Sequence, residues 1–299
     1  MTFWFPFLML VLRETFNTVS NGFVKTYQKS APKGNVSFCM YSMIMSVFAM
    51  GFYFITGGFR VEMNLLTLGY ALATGIDMVI LVILGIFAMQ YVDLLTLNLA
   101  QACGGMIIPV LFGILFLEER TVFTFWISAV FMVLAVLLPI LMQKGKRERG
   151  TVIGYILCSI LFFCNGLYTI LNKLYQANPA TCNESSFCFM LNVVMLVMSV
   201  VALPVLLRRT PSERAVLHQL SPKHILFILL GAVTSNAASL LNFSAMSGMH
   251  LSLMTILGTS LGILGTAFLS FTVFRERKLG IIDFLSILCA IASVVIGAI

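Results

Sequence analysis

The stretch Asn17-Thr-Val-Ser-Asn-Gly-Phe-Val-Lys25-Thr-Tyr27-Gln28 returns 148 residues later as Asn165-Gly-Leu-Tyr-Thr-Ile-Leu-Asn-Lys173-Leu-Tyr175-Gln176. Four identities fall within twelve positions, and all four are polar or aromatic residues that an apolar background would not repeat by composition alone. A shift of 149 lays Ser37-Phe38-Cys39 on Ser186-Phe187-Cys188. With a shift of 157, residues 87–120 lie on 244–277 without a gap, pairing Ala88-Met89 with Ala245-Met246, Gly105 with Gly262, and Glu119-Arg120 with Glu276-Arg277. Polar matches that keep their order along the chain mark an internal repeat.

The residues around these matches decide what is repeated. Of the 299 residues, 60% are hydrophobic and only 10% charged, with a mean hydropathy of +1.03. A soluble domain carries about 25% charged residues, so a soluble globule is excluded. Apolar runs fall at about 3–25, 37–57, 65–88, 94–117, 122–142, 151–173, 186–207, 224–247, 251–274 and 280–299. A run of about 20 apolar residues crosses a bilayer as a helix. The expected fold is therefore an all-α integral membrane protein of ten transmembrane helices, in two five-helix halves at 1–143 and 144–299. Five is odd, so the second half must enter the membrane from the opposite side and the repeat is inverted. The first run, Phe3 to Leu12, has no basic residue before it and leads into Arg13-Glu14, so it reads as part of helix 1 and not as a removable signal peptide.

The net charge of +7 comes from Lys and Arg residues clustered in short loops. That is an orientation signal and gives no reason to expect nucleic acid. One set of loops holds only Arg60, Arg120 and Lys173; the alternate set holds fourteen Lys and Arg residues, which places the latter in the cytoplasm and both termini outside. Seven cysteines lie mostly inside apolar runs and read as core packing, with Cys182 and Cys188 close enough in sequence for a disulfide in an oxidising compartment.

Two inverted five-helix units resemble the drug/metabolite transporter superfamily and its EamA-like members. The resemblance covers almost the whole chain. It rests on Lys25 and Lys173 near the ends of helices 1 and 6, and on helices 4 and 9 running into Phe116-Leu117-Glu118-Glu119-Arg120 and Val273-Phe274-Arg275-Glu276-Arg277. It implies a transporter with cytoplasmic termini, against the charge count. The Trp-Gly often found in that family's first helix is absent. Asn17 and Asn165 stand eight residues before the Lys, where the related small multidrug resistance proteins carry a proton-binding Glu.

An ionised side chain near the bilayer centre costs roughly 2.5–3.5 kcal/mol on insertion scales, so each needs a partner or a purpose. Arg13 and Glu14 fall inside helix 1 and Asp77 inside helix 3. At 100° per residue Glu14, Asn17, Thr18, Asn21 and Lys25 form one polar stripe that cannot face lipid. Helix 4 presents Asn98, Gln101 and Gly105. Helix 9 answers with Thr255, Gly258 and Gly262, whose spacing suits close backbone approach. Helix 6 offers Asn165 and Tyr168, and helix 8 offers Asn236 and Asn242.

The expected solute-binding residues are thus Glu14, Asn17, Asn21, Asp77, Asn98, Gln101, Asn165, Tyr168, Asn236 and Asn242, in a central cavity lined by helices 1, 3, 4, 6, 8 and 9. Asp77 and Glu14 are the carboxyls able to couple transport to protons. Three scattered histidines and the absence of hydrolase, P-loop or metal spacings argue against an enzyme, and no cofactor or metal is expected. The expected function is secondary active transport of a small cationic, zwitterionic or neutral metabolite or drug by alternating access, in a plasma or inner membrane. The alternatives are a non-transporting receptor or scaffold and an integral-membrane lipid enzyme.

Overall fold

The structure is a computed structural model, and it describes residues 4–30, 34–88, 91, 94–141, 152–209, 221–273 and 280–298. Among these, ten α-helices and no strand occur: α1 (Trp4–Ser30), α2 (Asn35–Thr56), α3 (Leu65–Ala88), α4 (Leu94–Leu115), α5 (Phe123–Leu141), α6 (Val152–Ala177), α7 (Glu184–Arg209), α8 (Pro222–Gly248), α9 (Leu251–Phe268) and α10 (Ile281–Ala298). A π-helical turn, Leu269–Val273, continues α9. Among the described residues, five helices are long and apolar enough to cross a membrane, over Cys39–Thr56, Val152–Ala177, Glu184–Arg208, Pro222–Gly248 and Leu251–Phe268, and shorter apolar helical segments occur in α3, α4, α5 and α10. Large apolar side chains such as Val152, Ile153, Ile156 and Phe163 on α6 lie exposed. That is the surface a bilayer would cover.

Helix ends track the expected runs closely, with two informative extensions. Helix α1 continues to Ser30 and α6 to Ala177, so Lys25 and Lys173 sit inside helices and not at their ends. All seven cysteines are free, including Cys182 and Cys188.

By internal contacts the residues form two compact units. The first comprises Met1–Glu14, Ile80–Leu174 and Ser244–Ile299, and is built around α4, α5, α9 and α10. Its apolar core joins Met106 and Val110 of α4, Phe125 and Met132 of α5, and Ile256 of α9. Along the α5–α10 seam, Ser128 Oγ donates to the Ser293 carbonyl at 2.8 Å and Ser293 Oγ donates back to the Ser128 carbonyl at 3.0 Å. Further along, Ser286 Oγ donates to the Ala135 carbonyl at 2.7 Å. Partner numbers fall on α10 as they rise on α5, so the two helices run antiparallel. Serines at such a seam let backbones approach while their hydroxyls stay satisfied.

The second unit, Thr15–Val79 with Tyr175–Phe243, is built around the pair α2 and α7. Ser42 and Ser199 share a hydrogen bond at 3.0 Å, and Cys39 Sγ donates to the Ser199 carbonyl. At the other end of the pair, Thr56 meets Ser185. This pair is also antiparallel. Two tyrosines, each near the end of its helix, fasten that end to other segments of the unit. Tyr27 Oη lies 3.3 Å from Ser37 Oγ and its ring meets His224 edge-on, while Tyr175 Oη donates to the Cys182 carbonyl at 2.6 Å and its ring meets Tyr70 and stacks on Phe187.

Candidate functional site

In the first unit the charged residues of helix 1 pair with each other. Arg13 Nη1 lies 2.7 Å from Glu14 Oε1, with 27% of the arginine side chain and 12% of the glutamate side chain exposed. The facing wall is α9, and it carries glycine at both points of approach. A Cβ on Gly258 would fall 2.9 Å from Arg13 Nη1 and 3.6 Å from Glu14 Oε1, and one on Gly262 would fall 3.5 Å from Glu14 Oε2. The two glycines anticipated as a packing surface are therefore what give the ion pair its room.

Helices α4 and α6 cross at glycines as well. A Cβ on Gly104 would run into the Phe162 carbonyl, and one on Gly166 into Ile108. Asn165 Nδ2, beside Gly105, donates to the Gln101 carbonyl at 2.6 Å. Asn165 and Gln101 are brought together, then, but Gln101 contributes its main chain to that bond. Tyr168 is half-buried in the same unit, and the Asn98 side chain lies outside the described residues.

The same unit holds a buried charge that sequence reasoning assigned no role. The carboxylate of Glu119, 9% exposed, accepts from the Leu251 amide at 2.5 Å, the Ser252 amide at 3.0 Å and Ser252 Oγ at 2.5 Å. It caps the positive end of α9 from a distant loop. On the other side of the α8–α9 turn, Lys173 Nζ donates to the Met246 carbonyl at 2.5 Å and the Met249 carbonyl at 3.2 Å, at the negative end of α8. The two side chains hold opposite ends of one turn and attract each other across it. Backbone geometry prepares this: Glu118 takes a left-handed φ of 51°, which turns the loop before Glu119, and Gly113 leaves space for the carboxylate. His250 Nδ1 lies 3.9 Å from Glu119 Oε1, with its ring 64% exposed. The sequence signals for this arrangement were the Glu119-Arg120 and Lys173 positions, which match Glu276-Arg277 and Lys25 in the other half of the chain.

The second unit contains the other sequence-predicted residues. Asp77 is 4% exposed on α3, and Asn236 of α8 is buried. The Asn236 carbonyl accepts from Tyr53 Oη at 3.4 Å, while its Nδ2 and the Oγ1 of Thr74, one turn before Asp77, are buried without a hydrogen-bond partner among the described residues. A buried unsatisfied donor costs about 1–3 kcal/mol unless something meets it. Asn17 and Asn242 are half-buried and Asn21 is exposed.

No protein-family model matches the sequence, and no curated protein matches it. The fold does have a counterpart. It is similar to a solved crystal structure of a protein of unstated function, with a TM-score of 0.72 over 97% of this chain and 95% of that one, at 11% sequence identity.

Proposed function

We propose that the chain is a secondary transporter of the drug/metabolite transporter type, with ten membrane spans in two inverted five-helix repeats, moving a small cationic, zwitterionic or neutral solute by alternating access. The observation that carries the reading is the pairing of helices five apart. Helices α2 and α7 pack together, as do α5 and α10, and both pairs are antiparallel. A shift of 158 maps Ser128 onto Ser286 and Ala135 onto Ser293. The Ser128–Ser293 bond thereby becomes the Ser286–Ala135 bond, so one interaction is the repeat image of the other. Tyr27 and Tyr175, themselves repeat partners, reach α8 and α3 respectively, again an exchange between halves. An axis in the membrane plane relates halves in this way in transporters built from inverted repeats.

The polar groups at depth supply a reason for a path. The Arg13–Glu14 pair, Asp77, and the unsatisfied amide of Asn236 are expensive in a bilayer and are expected to meet solute or proton. The test is flux in proteoliposomes holding the purified protein, by counterflow of labelled amino acids, polyamines, quaternary amines and sugars. Saturable, protein-dependent exchange of at least one class is expected. Leak-level flux for every class, from protein that remains folded and monodisperse, overturns the reading.

A further inference from the structure

Resting on the transporter reading for what the motion serves, we infer that Lys173 and Glu119 act as one clamp on the α8–α9 turn, so that Lys173 positions α9 and is not a ligand for solute. Helix α8 ends at Gly248 and α9 begins at Leu251, which leaves Met249 and His250 alone between them. Lys173 Nζ holds the carbonyls of Met246 and Met249 on the α8 side of that link, and the Glu119 carboxylate holds the amides of Leu251 and Ser252 and the Ser252 hydroxyl on the α9 side. Hydrogen bonds with a charged member are the strong class, and each charge faces the helix end of opposite partial charge. All of these groups belong to the first unit. The underside of the turn is sealed: Met246, Met249 and Leu251 are buried, whereas Ser247, Gly248 and His250 are exposed.

Two linking residues give the turn little slack. When its α8 end leaves Lys173, its α9 end is carried off Glu119 beyond hydrogen-bond reach, so the two holds stand or fall together. A lysine inside a membrane helix would otherwise read as an anchor for an anionic solute. Here the ammonium is already committed to two carbonyls and drawn to Glu119. An anion arriving there would have to displace those carbonyls and stand near a second negative charge, a costly arrangement where water is scarce. The charge therefore works on the chain itself. What it fixes is the wall that α9 presents: Gly258 lies seven residues beyond Leu251, about 10 Å along the helix axis, and there the bare backbone meets the Arg13–Glu14 pair. Holding the start of α9 holds that wall in register with α6, which carries Lys173.

Amide hydrogen exchange on the purified protein tests the clamp without any solute. Lys173 touches neither the Leu251 nor the Ser252 amide, yet in Lys173→Met both should exchange faster, by roughly tenfold. Lys173→Arg, which keeps a cationic donor, should restore the wild-type rate. A peptide of α5 spanning residues 124–135 should be unchanged in both, which shows that the unit as a whole has stayed folded. Lys173→Gln, with a donor and no charge, gives the same reading if Lys173→Met fails to fold. Leu251 and Ser252 exchanging within about threefold of wild type in a folded variant would mean two independent caps and overturns the inference. Counterflow of labelled amino acids, polyamines, quaternary amines and sugars then separates positioning from binding: Lys173→Met should lower maximal flux and leave KM within about twofold, whereas a raised KM at unchanged maximal flux makes Lys173 a solute ligand and overturns it too. Coupled exchange with leak-level flux for every class keeps the clamp and removes the transporter; saturable flux with uncoupled exchange does the reverse.

Discussion

Replacing Glu119 by Ala should open the start of α9 while leaving the rest of its helix intact. The carboxylate satisfies two main-chain amides and one hydroxyl, all buried, at the positive end of the helix. Each group left without its acceptor costs about 1–3 kcal/mol, and losing a well-placed charge at a helix end costs up to about 2 kcal/mol more. Some of this is recovered by relaxation, so the net expectation is about 3–5 kcal/mol, the range found when a buried charge loses its partners. Glu119→Gln keeps an acceptor oxygen without the charge and should cost about half as much. Amide hydrogen exchange read on a peptide spanning residues 248–256 is the direct assay, because local opening sets the exchange rate. At 1.4 kcal/mol per decade, the Leu251 and Ser252 amides should exchange roughly 100-fold faster or more in Glu119→Ala. Exchange within threefold of wild type would show that the cap contributes nothing and that the bonds are incidental to the turn.

The same geometry makes three further perturbations informative. His250→Ala should change unfolding free energy by less than about 0.5 kcal/mol, because an exposed histidine 3.9 Å from its acid is a weak partner; a larger loss in denaturant unfolding contradicts this. Gly104→Ala should destabilise by about 3 kcal/mol, at the upper end for overpacking, since its Cβ meets the main chain of Phe162, which cannot rotate away; the yield of folded protein after detergent extraction reports it. Asp77→Asn should abolish any stimulation of solute flux by a pH gradient, and unchanged pH dependence would remove Asp77 as the coupling group.

Sequence reading located the helices because apolar runs broken by Gly, Pro and charge leave little freedom about where a membrane helix starts. It singled out residues such as Lys25, Lys173 and Glu119 as matches between the halves without saying what they do, since the carbonyls of Met246 and Met249 and the amides of Leu251 and Ser252 are invisible as targets until the chain is folded. The charge count shows the same limit. It treated Lys173 as a loop cation reporting orientation, whereas its ammonium is held by main-chain carbonyls. Removing it leaves Arg60 and Arg120 on that side, which strengthens the count's bias without touching the fold. Arg13 and Glu14 were legible as costly residues, and their adjacency already offered each an internal partner. The glycines opposite them were read as packing, because spacing alone cannot say which side chain fills the room a glycine leaves. The division into two units was not legible at all, because it reflects the pairing of helices far apart in the chain and not their order along it.

That long-range pairing has a consequence for how the protein is made. Ser128 and Ser293 complete each other's hydrogen bonds from 165 residues apart. At about 5–20 residues per second, the ribosome needs roughly 8–33 s to deliver the second serine after the first. Throughout that interval the Ser128 face of α5 lacks the α10 partner it has in the folded unit, and α2 waits in the same way for α7. A chain that ends before α10 is therefore expected to leave the Ser128 hydroxyl and carbonyl without the partners that Ser293 gives them in the folded unit.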